Sequence, residues 1–130
     1  MKNRTKLVLG LVAAFGLGGA VVEGLHAQAK AKPPVYYVVE VDVTNVEAYT
    51  KEYAPKAQAL IRKSGGRPLA AGQNVMTFEG QPPKPRVAVI AWDSFDAIKA
   101  WRSTAEYKES RKIGDKYAKF RAFAVEGMPQ

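Results

Sequence analysis

Val35-Tyr-Tyr-Val-Val-Glu-Val-Asp-Val43 decides the fold. Successive side chains of an extended chain point to opposite faces. Val35, Tyr37, Val39, Val41 and Val43 therefore share one side, and Tyr36, Val38, Glu40 and Asp42 share the other. β-branched and aromatic residues dominate, which favours a strand. Its first side is wholly apolar and needs cover.

The next segment supplies that cover. Thr44 or Asn45 is placed to cap a helix, with Glu47 in the first turn, where a carboxylate meets the positive end of the helix dipole. At about 100° per residue, Val46, Tyr49, Tyr53, Ala57, Leu60 and Ile61 fall in one stripe roughly 120° wide. Pro55 lies opposite the stripe, where a kink bends the helix around its core. Lys63-Ser-Gly-Gly66 ends the helix, with Gly65 as the left-handed residue. A phosphate-cradling role for Gly65-Gly66-Arg67 is disfavoured, because the carbonyl end of a helix repels anions.

A short strand is predicted over 67–71, and a second extended piece over 75–79 after Gly72. Residues 80–85 form a proline-rich turn. The stretch 86–92 is apolar on both sides, as in a central strand. Asp93 and Ser94 cap a helix whose Phe95, Ile98 and Trp101 share a side. A break near Ser103-Thr104 opens another helix over 105–119. Its Ile113, Tyr117 and Phe120 are expected inside, and Lys108, Lys112, Lys116 and Lys119 in solvent. A strand over 121–126 closes the chain.

The order β-α-β-β-α-β is that of a ferredoxin-like split βαβ unit: an α+β fold, an antiparallel sheet with helices on one face. The second sheet face must also be covered. Tyr36, Val38, Ala88, Ile90 and Trp92 are assigned to it, and their apolar character predicts that two protomers press their sheets together as a homodimer.

Upstream, Lys2, Arg4 and Lys6 precede an apolar run over 7–22, followed by Ala27-Gln28-Ala29. This is the order of a secretory signal, so 1–29 is read as a signal peptide, 30–34 as a basic flexible leader and 35–130 as the domain. The run is short for a membrane span and carries Gly10, Gly16, Gly18 and Gly19. An uncleaved anchor is the competing reading. Cleavage would place the protein in the periplasm or outside the cell, with no membrane attachment. Loss of Lys2, Arg4, Lys6 and Glu23 turns the net charge of +8 into +6.

The one histidine, His26, would leave with the signal, and there is no cysteine. That excludes disulfides, His or Cys metal sites, Ser-His-Asp triads, thiol nucleophiles and a histidine-ligated haem. No dinucleotide fingerprint or Walker loop is present, so no cofactor is expected. The lysine stripe has no nucleic-acid motif beside it, so no nucleic-acid partner is expected either.

Glu40-Val-Asp-Val-Thr-Asn-Val-Glu-Ala-Tyr49, Gly65-Gly-Arg67, Phe78-Glu-Gly80, Pro85-Arg86, Ala100-Trp101, Glu106-Tyr107 and Val125-Glu-Gly127 resemble the DUF1330 family. The marks run from about residue 35 to 127. The resemblance implies a dimeric α+β barrel of ferredoxin-like protomers and no established function. It departs at Asn45-Val46, where the family usually has Asp-Pro, and at Thr104-Ala105, where one proline is usual. Two functional classes stay open. One is an exported domain binding a small aromatic or carboxylate-bearing molecule. The other, by fold analogy with antibiotic-biosynthesis monooxygenases, is a cofactor-independent enzyme on such a metabolite. Tyr36, Glu40, Arg67, Arg86, Trp101 and Tyr107 are the ligand-binding candidates, because polarity in an aromatic setting and the family marks single out these positions. No catalytic residue is assigned.

Overall fold

Residues 32–130 are described by the computed structural model, so the signal reading of 1–29 and the start of the leader lie outside the described residues. Strand β1 is Val35–Val43, β2 is Arg67–Gly72, β3 is Arg86–Trp92 and β4 is Ala118–Glu126. They form one antiparallel sheet in the order β2-β3-β1-β4. This is the ferredoxin-like arrangement expected from the sequence.

Helix α1 has three parts: an α turn Val46–Ala48, a π turn Tyr49–Tyr53 and an α segment Ala54–Lys63. The Asn45 side chain accepts from the Ala48 N–H at 3.1 Å and starts it. Pro55 explains the π turn. In a regular helix its ring would strike the carbonyl four residues back, at Lys51. The chain instead inserts a wider turn, in which the Ala54 N–H donates to Tyr49 O, five residues back. Pro55 is exposed, as the kink argument requires. Val46, assigned to the buried stripe, is 58 % exposed, since it sits at the helix entry beyond the sheet. Gly65 at φ +103° ends α1.

Helix α2 (Phe95–Ser103) is capped by Ser94, which accepts from the Ala97 N–H at 3.0 Å. Thr104 serves both neighbouring ends. Its hydroxyl donates to Trp101 O at 2.8 Å and accepts from the Tyr107 N–H at 3.1 Å, opening α3 (Ala105–Tyr117). The four lysines of the predicted stripe are all exposed.

The register fixes the faces. Val35 pairs with Trp92, Tyr37 with Ile90, Val39 with Ala88 and Val41 with Arg86. Paired residues point to the same side of an antiparallel sheet. Ala88, Ile90 and Trp92 therefore lie under the helices, not on the second face where the sequence reading put them. Ile90 and Trp92 join Val35, Tyr37, Ile98 and Trp101 in the main core, with Trp92 at zero exposure. The second face carries Tyr36, Val38, Val87, Val89, Phe123 and Val125 instead.

Two other boundaries move. Residues 75–79 form no strand: Met76 is 75 % and Phe78 86 % exposed, and the following Pro82, Pro83 and Pro85 have no N–H to give a ladder. β4 begins at Ala118 because Ala118 already pairs with Val43, three residues before the expected start.

Candidate functional site

Between the helices and the inner face of the sheet lies a cavity of about 330 Å³. β1 and β3 supply its floor, chiefly Val39, Val41, Ala88 and Ile90, while α1 and α3 form its walls. Ala70 and Ala71 of edge strand β2 line it and are exposed, which places an opening between β2 and α1.

Aromatic rings pave the interior. Trp101 meets Tyr37 edge-on at 5.5 Å and Tyr107 at 4.8 Å, and it stacks on Trp92 at 4.9 Å. Tyr53 lies between Tyr49 at 5.2 Å and Phe120 at 5.6 Å. Gly114 of α3 makes room for it: a Cβ there would come within 2.6 Å of Tyr53 Cε1. Burial pushes the phenols of Tyr37, Tyr49 and Tyr53 above their ordinary range, most strongly at Tyr53.

Three arginines line this space, Arg62, Arg86 and Arg111, and among the described residues no carboxylate lines it. Arg111 lies 3.9 Å over the Phe120 ring and is held by Asp115 at 2.8 Å and by the Tyr107 hydroxyl at 3.1 Å. Arg86 is less satisfied. Its guanidinium stands 5.5 Å from the Tyr49 ring centre, and its Nε is buried with no hydrogen-bond partner among the described residues. A buried donor without a partner costs about 1–3 kcal/mol, and an acceptor-bearing ligand would recover it.

The sheet divides the six candidates. Arg86, Trp101 and Tyr107 meet in the cavity. Tyr36 and Glu40 lie on the opposite face. Glu40, 5 % exposed, accepts from Arg121 at 2.6 Å and from the Lys84 N–H at 3.0 Å. Arg67 turns outward at the β2 edge, where it pairs with Asp93 at 3.0 Å and is half exposed. Sequence reasoning placed Tyr37, Tyr49 and Tyr53 on covered apolar faces without making them ligand candidates, and it did not single out Arg111. The signal for Arg111 was present: Tyr107, Arg111 and Gly114 recur at helical spacing along the seam of α3 that faces the sheet.

Such a sheet and helix layer around an aromatic, cationic cavity define a ferredoxin-like α+β domain. The chain belongs to the DUF1330 family, a domain of unknown function, which matches residues 34–128. No curated protein matches it significantly. A protein of unknown function from Rhodopseudomonas palustris, RPA0582, is 17 % identical, with a TM-score of 0.62 over 82 % of this chain and 94 % of its own. An "ethyl tert-butyl ether d (ethd) family protein" of Bacillus halodurans C-125 is 18 % identical, with a TM-score of 0.55 over 73 % and 99 %. A Nitrosomonas europaea protein, provisionally described as an antibiotic biosynthesis monooxygenase, is 14 % identical, with a TM-score of 0.51 over 75 % and 93 %. At these identities the likeness is one of fold.

Proposed function

We propose that the domain binds a small aromatic acid in the cavity between sheet and helices, with Arg86 as the anion's anchor, and that it works as an exported homodimer. One observation carries the ligand reading: among the described residues three arginines and no carboxylate line the cavity, and Arg86 Nε is buried without a partner. A guanidinium grips a carboxylate through paired N–H donors. The volume is at the small end for ligand sites, which run from roughly 300 to 1,000 Å³, so a single substituted ring is the natural occupant.

The dimer reading is supported by the second sheet face, where Phe123 is 46 % and Val125 55 % exposed beside Tyr36, Val38 and Val89. Export is supported by the N-terminal sequence alone. For the ligand, thermal shift with a panel of aromatic acids compares wild type with Arg86→Gln and Arg67→Ala. Arg86→Gln should weaken binding by about 2 kcal/mol or more, some thirtyfold. Arg67→Ala should respond as wild type does. Equal responses from all three proteins, or none, would exclude the arginine-anchored pocket.

A further inference from the structure

The polar groups around the cavity are mostly hydrogen-bond donors, and they are unequally satisfied. The Tyr37 hydroxyl accepts from Arg102 at 2.7 Å, and that of Tyr107 accepts from Arg111 at 3.1 Å. The hydroxyls of Tyr49 and Tyr53 make no hydrogen bond among the described residues, and the Nε1–H of Trp101, on the same lining, is buried without a partner. Together with Arg62, Arg86 and Arg111, they make a wall that offers far more N–H and O–H groups than it can accept from. One carboxylate at Arg86 would answer only part of that surplus.

Tyr53 is the better placed of the two free phenols. It is fixed from three sides by Tyr49, Phe120 and the bare backbone of Gly114. The π turn is the device that brings Tyr49 and Tyr53 inward together while Pro55 faces solvent. Arg86, Val41 and Phe120 form one row across β3, β1 and β4, on strands spaced roughly 4.8 Å apart. Arg86 lies 5.5 Å from the Tyr49 ring centre and Tyr53 lies 5.2 Å from it, so both border the same end of the cavity. Burial keeps the Tyr53 hydroxyl protonated well into alkaline solution, as a neutral donor.

We propose that Tyr53 positions the ligand by donating its hydroxyl to a second oxygen, so that the cavity selects ring acids carrying a hydroxyl or oxo group besides the carboxylate held at Arg86. This rests on the proposed function and narrows it to a substrate class.

The test is calorimetric titration of the protein with benzoate, meta-hydroxybenzoate, para-hydroxybenzoate and benzoylformate. In wild type at least one of the three oxygenated acids should bind roughly five- to tenfold more tightly than benzoate, the return on one added hydrogen bond. Tyr53→Phe keeps the ring and its packing. It should bring that ratio near one while benzoate affinity stays as in wild type, whereas Tyr49→Phe should keep the ratio. A ratio that survives in Tyr53→Phe, or that falls only in Tyr49→Phe, overturns the assignment. If no oxygenated acid exceeds benzoate in wild type while Arg86→Gln weakens every acid, the Tyr53 inference fails and the arginine anchor stands. If no acid binds, both fail together.

Discussion

Replacing Gly114 by alanine sets two effects of similar size against each other. Inside an exposed helix, alanine is better than glycine by about 1 kcal/mol. At position 114 the new methyl would lie 2.6 Å from Tyr53 Cε1, 2.9 Å from Cδ1 and 3.0 Å from Cζ. Carbon atoms rest at roughly 3.5–4.0 Å, so the ring must retreat by about 1 Å. Tyr49 and Phe120 flank it, and its free direction is into the cavity. Overpacking of this kind costs about 1–3 kcal/mol, which exceeds the helix gain. Gly114→Ala should therefore destabilise the domain by about 1 kcal/mol, lowering Tm by roughly 4–8 °C for a domain of this size. It should also weaken ligand binding by narrowing the cavity. Denaturant unfolding of Gly114→Ala, Tyr53→Ala and the double variant isolates the contact. In the Tyr53→Ala background the methyl has space, so the same substitution should become stabilising, a coupling above about 0.5 kcal/mol. If Gly114→Ala stabilises the otherwise wild-type protein by the full helix increment, the close approach of α3 to Tyr53 is refuted.

Further outcomes follow from the same geometry. Tyr37, Tyr49 and Tyr53 hold their protons above the ordinary phenol range because they are buried. Unfolded tyrosine ionises near pH 10, so above it the unfolded chain holds fewer protons. Stability that is full at neutral pH is then lost as pH rises through the folded-state values, by at most about 1.4 kcal/mol per pH unit per residue. Unfolding measured on either side of about pH 10 should show this fall, and Tyr53→Phe should flatten it. Phe123→Glu should split the proposed dimer and leave the fold intact, because Phe123 is 46 % exposed on the outer face; a dimer unchanged in light scattering, or a monomeric wild type, would contradict the sheet-to-sheet assembly. Ile90→Lys would unfold the protein instead, since Ile90 is in the core. Intact-mass measurement of exported material should give a chain beginning at Lys30, and retention of residues 1–29 would contradict the signal reading.

Some of this was legible from side-chain pattern alone. The period of two in Val35–Val43 gave the right faces, and Asn45, Pro55 and Gly65 each marked the local event their chemistry imposes. Strand β3 was ambiguous because both its faces are apolar. Only the register Val35 to Trp92 shows that Ile90 and Trp92 go under the helices. Residues 75–79 alternate like a strand but have no neighbour to pair with, and pairing is not written in local pattern. The same limit governs the site. Parity separates Tyr36 from Tyr37 in the sequence itself, but which face of the sheet holds the cavity is decided by where the helices pack, and only Tyr37 lines it. Arg67 and Arg86 likewise differ only in where the sheet sends them. One meets Asp93 at the surface, and the other meets Tyr49 inside.

The central claim is that an aromatic acid is held inside the cavity by Arg86. Nitrogen-edited NMR of the arginine Nε–H groups during titration with para-hydroxybenzoate tests it at the atom concerned. The Arg86 resonance should move most, because its Nε is the arginine donor that is buried without a partner among the described residues, and Arg111 should follow. Arg67 and Arg121, paired with Asp93 and Glu40, should stay in place. Movement of Arg67 or Arg121 with Arg86 unmoved would contradict the account and place the ligand elsewhere.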